Sequence, residues 1–296
     1  MRILLTTLLL AATLPAQTTG KVHTPDVDLA YLTYGAPSAA TPVIAVNGGP
    51  GLSHIYMVQN DLWQRVGKHR LVVLYDQRGT GGSKPLAADA SQSMETQVAD
   101  LEAVRAALHL DKVALVGDSY GGFLSMAYAS AHPEHVAKLI LSDSPSAAMK
   151  DMVHVLPQVF PDVEEESSAS LKKLPPAEAA QRALRDHFRM IFYSPELRDK
   201  YLAGAPDLGS EPAVSAAVSK SARQQDYTPK LAGFTMFPTL VLTGRYDMNI
   251  APLTAWHLAH QIPGAKFVVF DKSGHLPAYE EPDKYLEVLE AFLNQR

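Results

Sequence analysis

Ser119, Asp247 and His275 have the side chains and the chain order that covalent acyl transfer requires. A serine hydroxyl is a poor nucleophile at neutral pH. It needs an imidazole to take its proton and a carboxylate to orient that imidazole. Ser119 lies in Gly117-Asp118-Ser119-Tyr120-Gly121, a G-x-S-x-G pattern preceded by the apolar run Val113-Ala114-Leu115-Val116 and followed by an Ala-rich apolar stretch. That context reads as strand, sharp turn, helix. The turn is so tight that Gly117 and Gly121 must carry no side chain, and it lifts the serine oxygen above the strand end. The first helical N–H groups then point to where an oxyanion would form.

The base and the acid must follow strands whose carboxyl ends gather at one edge of a sheet. Asp247 closes Gly244-Arg245-Tyr246-Asp247 after an apolar run at 239–243, and His275 closes Ser273-Gly274-His275 after a run at 266–270. Asp143, just past a run at 139–141, is the competing acid, and the chain order favours Asp247. One oxyanion donor is expected from the Tyr120 N–H. The second is expected from Asn47-Gly48-Gly49-Pro50-Gly51, with Gly49 as first choice and Gly48 next.

The elements that must position these groups follow from periodicity. Short apolar runs at 27–34, 42–46 and 71–75 read as strands, the second and third feeding glycine-rich loops. Val98, Leu101, Val104 and Leu108 recur at helical spacing, so an amphipathic helix at 94–109 leads into the elbow strand. Helices at 252–261 and 285–293 alternate with the last strands. Strands alternating with helices predict an α/β fold, a mainly parallel central sheet with helices on both faces. From about 146 to 231 strand-like runs stop and Ala-rich helical stretches take over, an inserted helical cap over the strand ends that divides the core into 21–145 and 232–296.

Composition narrows the class of function. With 296 residues, a formal net charge of -5 and no cysteine, the chain has one large domain, no basic surface for nucleic acid, no disulfide and no thiolate metal site. The start, Met1-Arg2 followed by a dozen mostly apolar residues, fits a signal peptide at 1–16 and is too short to span a bilayer. Leu14 departs from the small residue expected three positions before a cut after Ala16. Export to a periplasm or the medium, with no integral membrane segment in the mature protein, is the expectation.

Asn47-Gly48-Gly49-Pro50-Gly51, Asp76-Gln77-Arg78-Gly79-Thr80-Gly81-Gly82-Ser83, Gly117-Asp118-Ser119-Tyr120-Gly121-Gly122, Gly244-Arg245-Tyr246-Asp247 and Gly274-His275 together resemble the proline iminopeptidase (prolyl aminopeptidase) family of α/β-hydrolases. The resemblance implies release of an N-terminal residue, often proline, from a short peptide by a serine mechanism, without metal or other cofactor. Asn47 departs from the family's HGGPG, which begins with His, and leaves the N–H donors of the loop in place. The family holds the substrate amine with cap glutamates. Glu164, Glu165, Glu166, Glu178, Glu196 and Glu211 do not align to those positions, so the sequence assigns no substrate-binding residue. Two other readings stay open: an esterase, lactonase or amidase with an apolar cap pocket, and a ligand-binding protein with little turnover. A carboxylate facing Ser119 would separate the peptidase from the esterase.

Overall fold

The computed structural model describes residues 17–152, 155–205 and 207–295. The expected signal peptide at 1–16 lies outside them. Eight strands form one sheet: β1 (Gln17–His23), β2 (Asp28–Tyr34), β3 (Val43–Val46), β4 (Val72–Tyr75), β5 (Val113–Asp118), β6 (Val136–Ser142), β7 (Thr239–Gly244) and β8 (Lys266–Phe270), in the order β1-β2-β4-β3-β5-β6-β7-β8. The β1–β2 and β2–β4 pairings are antiparallel and the remaining five are parallel.

The central strands are apolar on both sides because both faces of the sheet are covered. Alternate residues divide between two cores. Ile44, Val46, Val73, Tyr75, Val113, Leu115, Leu139, Leu141 and Val241 face one. Val43, Ala45, Val72, Leu74, Ala114, Val116, Ile140, Leu240 and Leu242 face the other. The first core is closed by helices Met94–Ala107, Tyr120–Ala131 and Pro252–Gln261, and the second by Leu62–Val66 and Pro282–Leu293. Each fully buried aliphatic or aromatic side chain here contributes roughly 1.5–3 kcal/mol relative to exposure.

Strand β1 has no counterpart in the hydrophobic pattern. It is an edge strand on which Val22 alone is buried, entering the first core, and it is otherwise held by backbone pairing to β2. The helix expected at 94–109 ends at Ala107, and His109 takes a left-handed φ of 56°.

Between β6 and β7 the described chain forms helices Leu156–Val159, Pro161–Leu171, Pro176–Met190, Pro195–Gly204, Pro212–Ala222 and Thr228–Leu231, each with a proline in its first turn, where a missing N–H costs nothing. Their buried side chains, among them Leu156, Phe188, Ile191, Tyr201 and Leu202, join Leu52 and Tyr56 after β3 and Leu276 beside His275 in a third core. This helical stretch is thereby seated over the carboxyl ends of the strands.

Strand order reverses at β3: β4 lies on one side of it and β5 on the other. Ligands of open α/β sheets bind in the crevice outside such a switch point. The loop Asn47–Leu52 and the turn carrying Ser119 both open onto it.

Candidate active site

Ser119 has φ 53° and ψ -127°, a strained conformation for a residue with a side chain. The packing that enforces it is glycine-dependent. A Cβ on Gly121 would fall on the Val46 carbonyl, and one on Gly117 would meet the backbone of Gly121 and Gly122. The strand leads straight into the Tyr120–Ala131 helix, so the serine oxygen stands clear of both.

His275 Nε2 lies 3.0 Å from Ser119 Oγ, and His275 Nδ1 lies 2.7 Å from Asp247 Oδ2. The other Asp247 oxygen, Oδ1, accepts the Asn249 and Ile250 backbone N–H groups, each at 2.9 Å. Asp247 is fully buried, so its charge acts on the imidazole with little screening. Burial alone would lower the His275 pKa; the Asp247 charge and hydrogen bond, with the more remote Asp143 and Asp118, raise it to about 9. The structure thus brings Ser119, Asp247 and His275 into one hydrogen-bonded line.

Asp143 is adjacent but does not hydrogen-bond to the imidazole. Its Oδ1 accepts the Gly244 N–H at 2.9 Å and its Oδ2 the Ser142 hydroxyl at 3.0 Å. Burial and the neighbouring Asp247 charge push its pKa well above the carboxylate range. Asp143, Asp247 and His275 lie within 4.8 Å of one another, the sole grouping of metal-ligating types among the described residues. Its Asp247 oxygens are already taken by His275 and two backbone N–H groups.

Of the expected oxyanion donors, neither the Gly49 nor the Tyr120 N–H has a hydrogen-bond partner among the described residues. Gly48 is different. Its N–H donates to the Tyr56 hydroxyl at 2.6 Å, and its Cα packs so closely on Ser119 that a Cβ would collide with the serine Cβ. Gly48 is therefore a spacer.

The loop is held from several directions. Asn47, completely buried, donates through Nδ2 to the Leu52 carbonyl at 2.7 Å and so closes the loop upon itself. Gln77 Nε2 donates to the Asn47 carbonyl at 2.7 Å. Asp76 Oδ1 accepts from Ser53 Oγ, the His54 N–H and His54 Nδ1 at 2.7, 2.9 and 2.7 Å. Burial works to raise the Asp76 pKa, but the His54 contacts hold it below the usual range. Arg78 makes a two-pronged bond to Asp100 at 2.7 Å through each nitrogen and a third at 3.0 Å to Asp26. The Asp76-Gln77-Arg78 run is scaffolding for the oxyanion loop.

Four further residues carry no signal in the sequence. Asn249 Nδ2 lies 3.0 Å from His275 Nε2, sharing that nitrogen with Ser119. Tyr56 donates its hydroxyl proton to Asp118 Oδ2 at 2.5 Å. His187 lines the cavity; burial first, then the repulsion of His275, lowers its pKa to about 4. Glu280 accepts the Tyr193, Ser194 and Gly274 N–H groups at 2.9, 2.9 and 2.7 Å, while the His275 N–H donates to the Ile191 carbonyl at 2.7 Å. The segment 191–194 is tied in this way to the loop that carries the imidazole. No periodicity marks any of these contacts, which join residues far apart in sequence.

Two cavities meet at Ser119. One, of about 160 Å³, is lined by Leu52, Tyr56, Asp118, Leu184, Phe188, Ile191 and Leu276, among others; a second, of about 280 Å³, by Tyr120, Met149, Met152 and Arg223, among others. The Glu164 side chain lies outside the description. Glu165, Glu166, Glu178, Glu196 and Glu211 line neither cavity.

Residues 41–282 match the family model described as alpha/beta hydrolase fold. The chain belongs to the α/β-hydrolase family. It is 30% identical over 282 residues to a proline iminopeptidase of Lactobacillus delbrueckii subsp. bulgaricus, covering 88% of this chain and 92% of that one. To the proline iminopeptidase of Lacticaseibacillus rhamnosus it is 29% identical over 280 residues, covering 89% and 93%. These relatives bear out the resemblance carried by the glycine-rich motifs. Among solved structures, the esterase RhEst1 of Rhodococcus sp. ECU1013 superposes with a TM-score of 0.78 at 22% identity, over 94% of this chain and 98% of that one. The enol-lactonase of Burkholderia xenovorans LB400 does so with a TM-score of 0.71 at 21% identity, over 91% and 97%. These hydrolases share the fold of the α/β-hydrolase family.

Proposed function

We propose that this α/β-hydrolase is an exported serine hydrolase of the proline iminopeptidase type, releasing an N-terminal residue, with proline favoured, from short peptides. The observation that carries the chemistry is the hydrogen-bonded line from Ser119 through His275 to Asp247, with the Gly49 and Tyr120 N–H groups unpartnered among the described residues. His275 takes the Ser119 proton as Oγ attacks the substrate carbonyl. The Asp247 charge stabilises the imidazolium, and the Gly49 and Tyr120 N–H groups receive the oxyanion. The imidazolium gives its proton to the departing amine, leaving an acyl-enzyme. Water, activated by the same imidazole, then releases the acid and restores Ser119. Support for the peptide substrate comes from the relatives named proline iminopeptidase.

One observation favours a second reading. The smaller cavity is mostly apolar, with Leu52, Leu184, Phe188, Ile191 and Leu276 on its walls, and such a lining suits an ester, lactone or simple amide. Initial rates on proline p-nitroanilide, its N-acetylated form and p-nitrophenyl acetate, for the wild type and Ser119→Ala, separate the two. Cleavage of the free-amine substrate that disappears in Ser119→Ala is the expected result. Turnover of the acetate ester alone would leave a general esterase.

A further inference from the structure

Among the described residues Asp118 is the one carboxylate outside the Ser119–His275–Asp247 line that lines the smaller cavity, and the catalytic steps do not use it. It occupies the variable position of the elbow, next to the nucleophile. Its side chain is 7% exposed. Oδ2 is fixed by the Tyr56 hydroxyl, whose oxygen is fixed in turn by the Gly48 N–H. Oδ1 has no hydrogen bond among the described residues and is not sealed from solvent. Among the described residues no lysine or arginine lines this cavity. The positive charge that bears on this buried carboxylate is that of His275, which is already committed to Asp247, so the open oxygen has no hydrogen-bonded cation of its own to offset its desolvation.

We propose that Asp118 Oδ1 receives the protonated α-amine of the substrate's N-terminal residue, so that the ammonium anchor lies in the nucleophile elbow and not among the cap glutamates. The assignment rests on the peptidase reading above and names the group that makes the site an exopeptidase. In an N-terminal residue the amine is one carbon removed from the carbonyl that Ser119 attacks, so its counter-ion must stand beside the nucleophile, as Asp118 does. The Tyr56 hydroxyl contributes rigidity: it fixes the carboxylate plane before substrate arrives.

The charged and titratable groups around Asp118 are Tyr56 from the turn His54–Val58, His275 and Asp247 from the loops after β8 and β7, Asp143 after β6, Tyr201 from Pro195–Gly204, Tyr285 from Pro282–Leu293 and, across the same cavity, His187 from Pro176–Met190. Burial pushes the Asp118 pKa up to about 6; the His275 charge and the Tyr56 hydrogen bond lower it and Asp247 raises it. A peptide α-amine keeps its proton below about pH 7.5. Between pH 7 and pH 5 the anchor therefore loses its charge while the ligand keeps its own.

The test is the ratio of kcat/KM for proline p-nitroanilide to that for its N-acetylated form. Titration of His275 affects numerator and denominator alike, so the ratio isolates the amine contact. For the wild type the ratio is expected to be constant near neutrality and to fall about tenfold per pH unit below about 6. Asp118→Asn is expected to lower the neutral-pH ratio about ten- to a hundredfold, the range of a charge-assisted hydrogen bond, and to remove its pH dependence. A wild-type ratio independent of pH from 5 to 7, or an unchanged ratio in Asp118→Asn, overturns the assignment while leaving the peptidase reading intact. The wild-type profile decides the matter even if the variant does not fold. Failure of the wild type to cleave either proline substrate overturns both. Improved cleavage at low pH of an N-acetyl dipeptide with a free carboxyl terminus, lost in Asp118→Asn, also overturns it, because the carboxyl group would then be meeting a carboxylate and not an amine.

Discussion

Replacing Asp247 by Asn and Asp143 by Asn should have opposite consequences, although both carboxyls are buried and lie within 4.8 Å of one another. Asp247 Oδ1 accepts two backbone N–H groups. An asparagine there must keep its carbonyl oxygen on those donors, since turning the amide would point N–H at N–H. Its NH₂ group then faces His275 Nδ1 and forces that nitrogen to be the acceptor. The imidazole proton moves to Nε2, where it blocks uptake of the Ser119 proton. The loss expected for a wrong tautomer in such a triad is about 10⁴-fold in kcat, or about 5 kcal/mol of transition-state stabilisation. Asp143 makes no hydrogen bond to the imidazole and has Gly244 and Ser142 as its partners, with its pKa pushed well above the carboxylate range by burial and the Asp247 charge. Asp143→Asn preserves shape and leaves the Asp247–His275 hydrogen bond in place, so kcat should stay within about threefold, less than 1 kcal/mol. The assay is steady-state hydrolysis of the best chromogenic substrate at pH 7–9, with thermal unfolding to verify that both variants fold. A loss below about 100-fold in Asp247→Asn, or a comparable loss in Asp143→Asn, would refute the assignment of Asp247 as the orienting acid.

Two further outcomes follow from named contacts. Asn249→Ala removes an N–H donor that holds the unprotonated Nε2 of His275; at about 1 kcal/mol for that bond the apparent pKa in the kcat/KM profile should rise by about 0.7 pH units, and an unchanged or lower value would refute the contact. Arg78→Met leaves Asp100, which is 2% exposed, without its two-pronged partner; urea unfolding should show a loss of about 3–5 kcal/mol, and a loss under 1 kcal/mol would mean that Asp100 is satisfied some other way.

The strands around the site were legible because a covered parallel sheet writes itself as short apolar runs. β8 and the helix Pro252–Gln261 lie where periodicity puts them, and Ser119, Asp247 and His275 follow strands in the expected order. β1 was not legible, since an exposed edge strand has no hydrophobic alternation to read. Nor were Tyr56, Asp118 and Asn249. Tyr56 meets Asp118 across 62 positions of chain, and Asn249 meets His275 across 26. Such pairs depend on where loops arrive in space, which local pattern does not encode. The sequence ranks Gly49 before Gly48 as the loop donor but does not show what separates them. A single hydroxyl, that of Tyr56, distinguishes them by occupying the Gly48 N–H.

The junction of 191–194 with the His275 loop constrains how substrate can enter. Three N–H groups converge on Glu280 and a fourth bond joins His275 to Ile191. Lifting the helical insertion at that end would drag the imidazole away from Ser119. The 191–194 segment and the loop that carries the imidazole are therefore coupled in position. A junction of this kind makes the alignment of the base with Ser119 depend on the placement of the helical insertion. Burial raises the Glu280 pKa to about 7, against the three N–H groups that lower it.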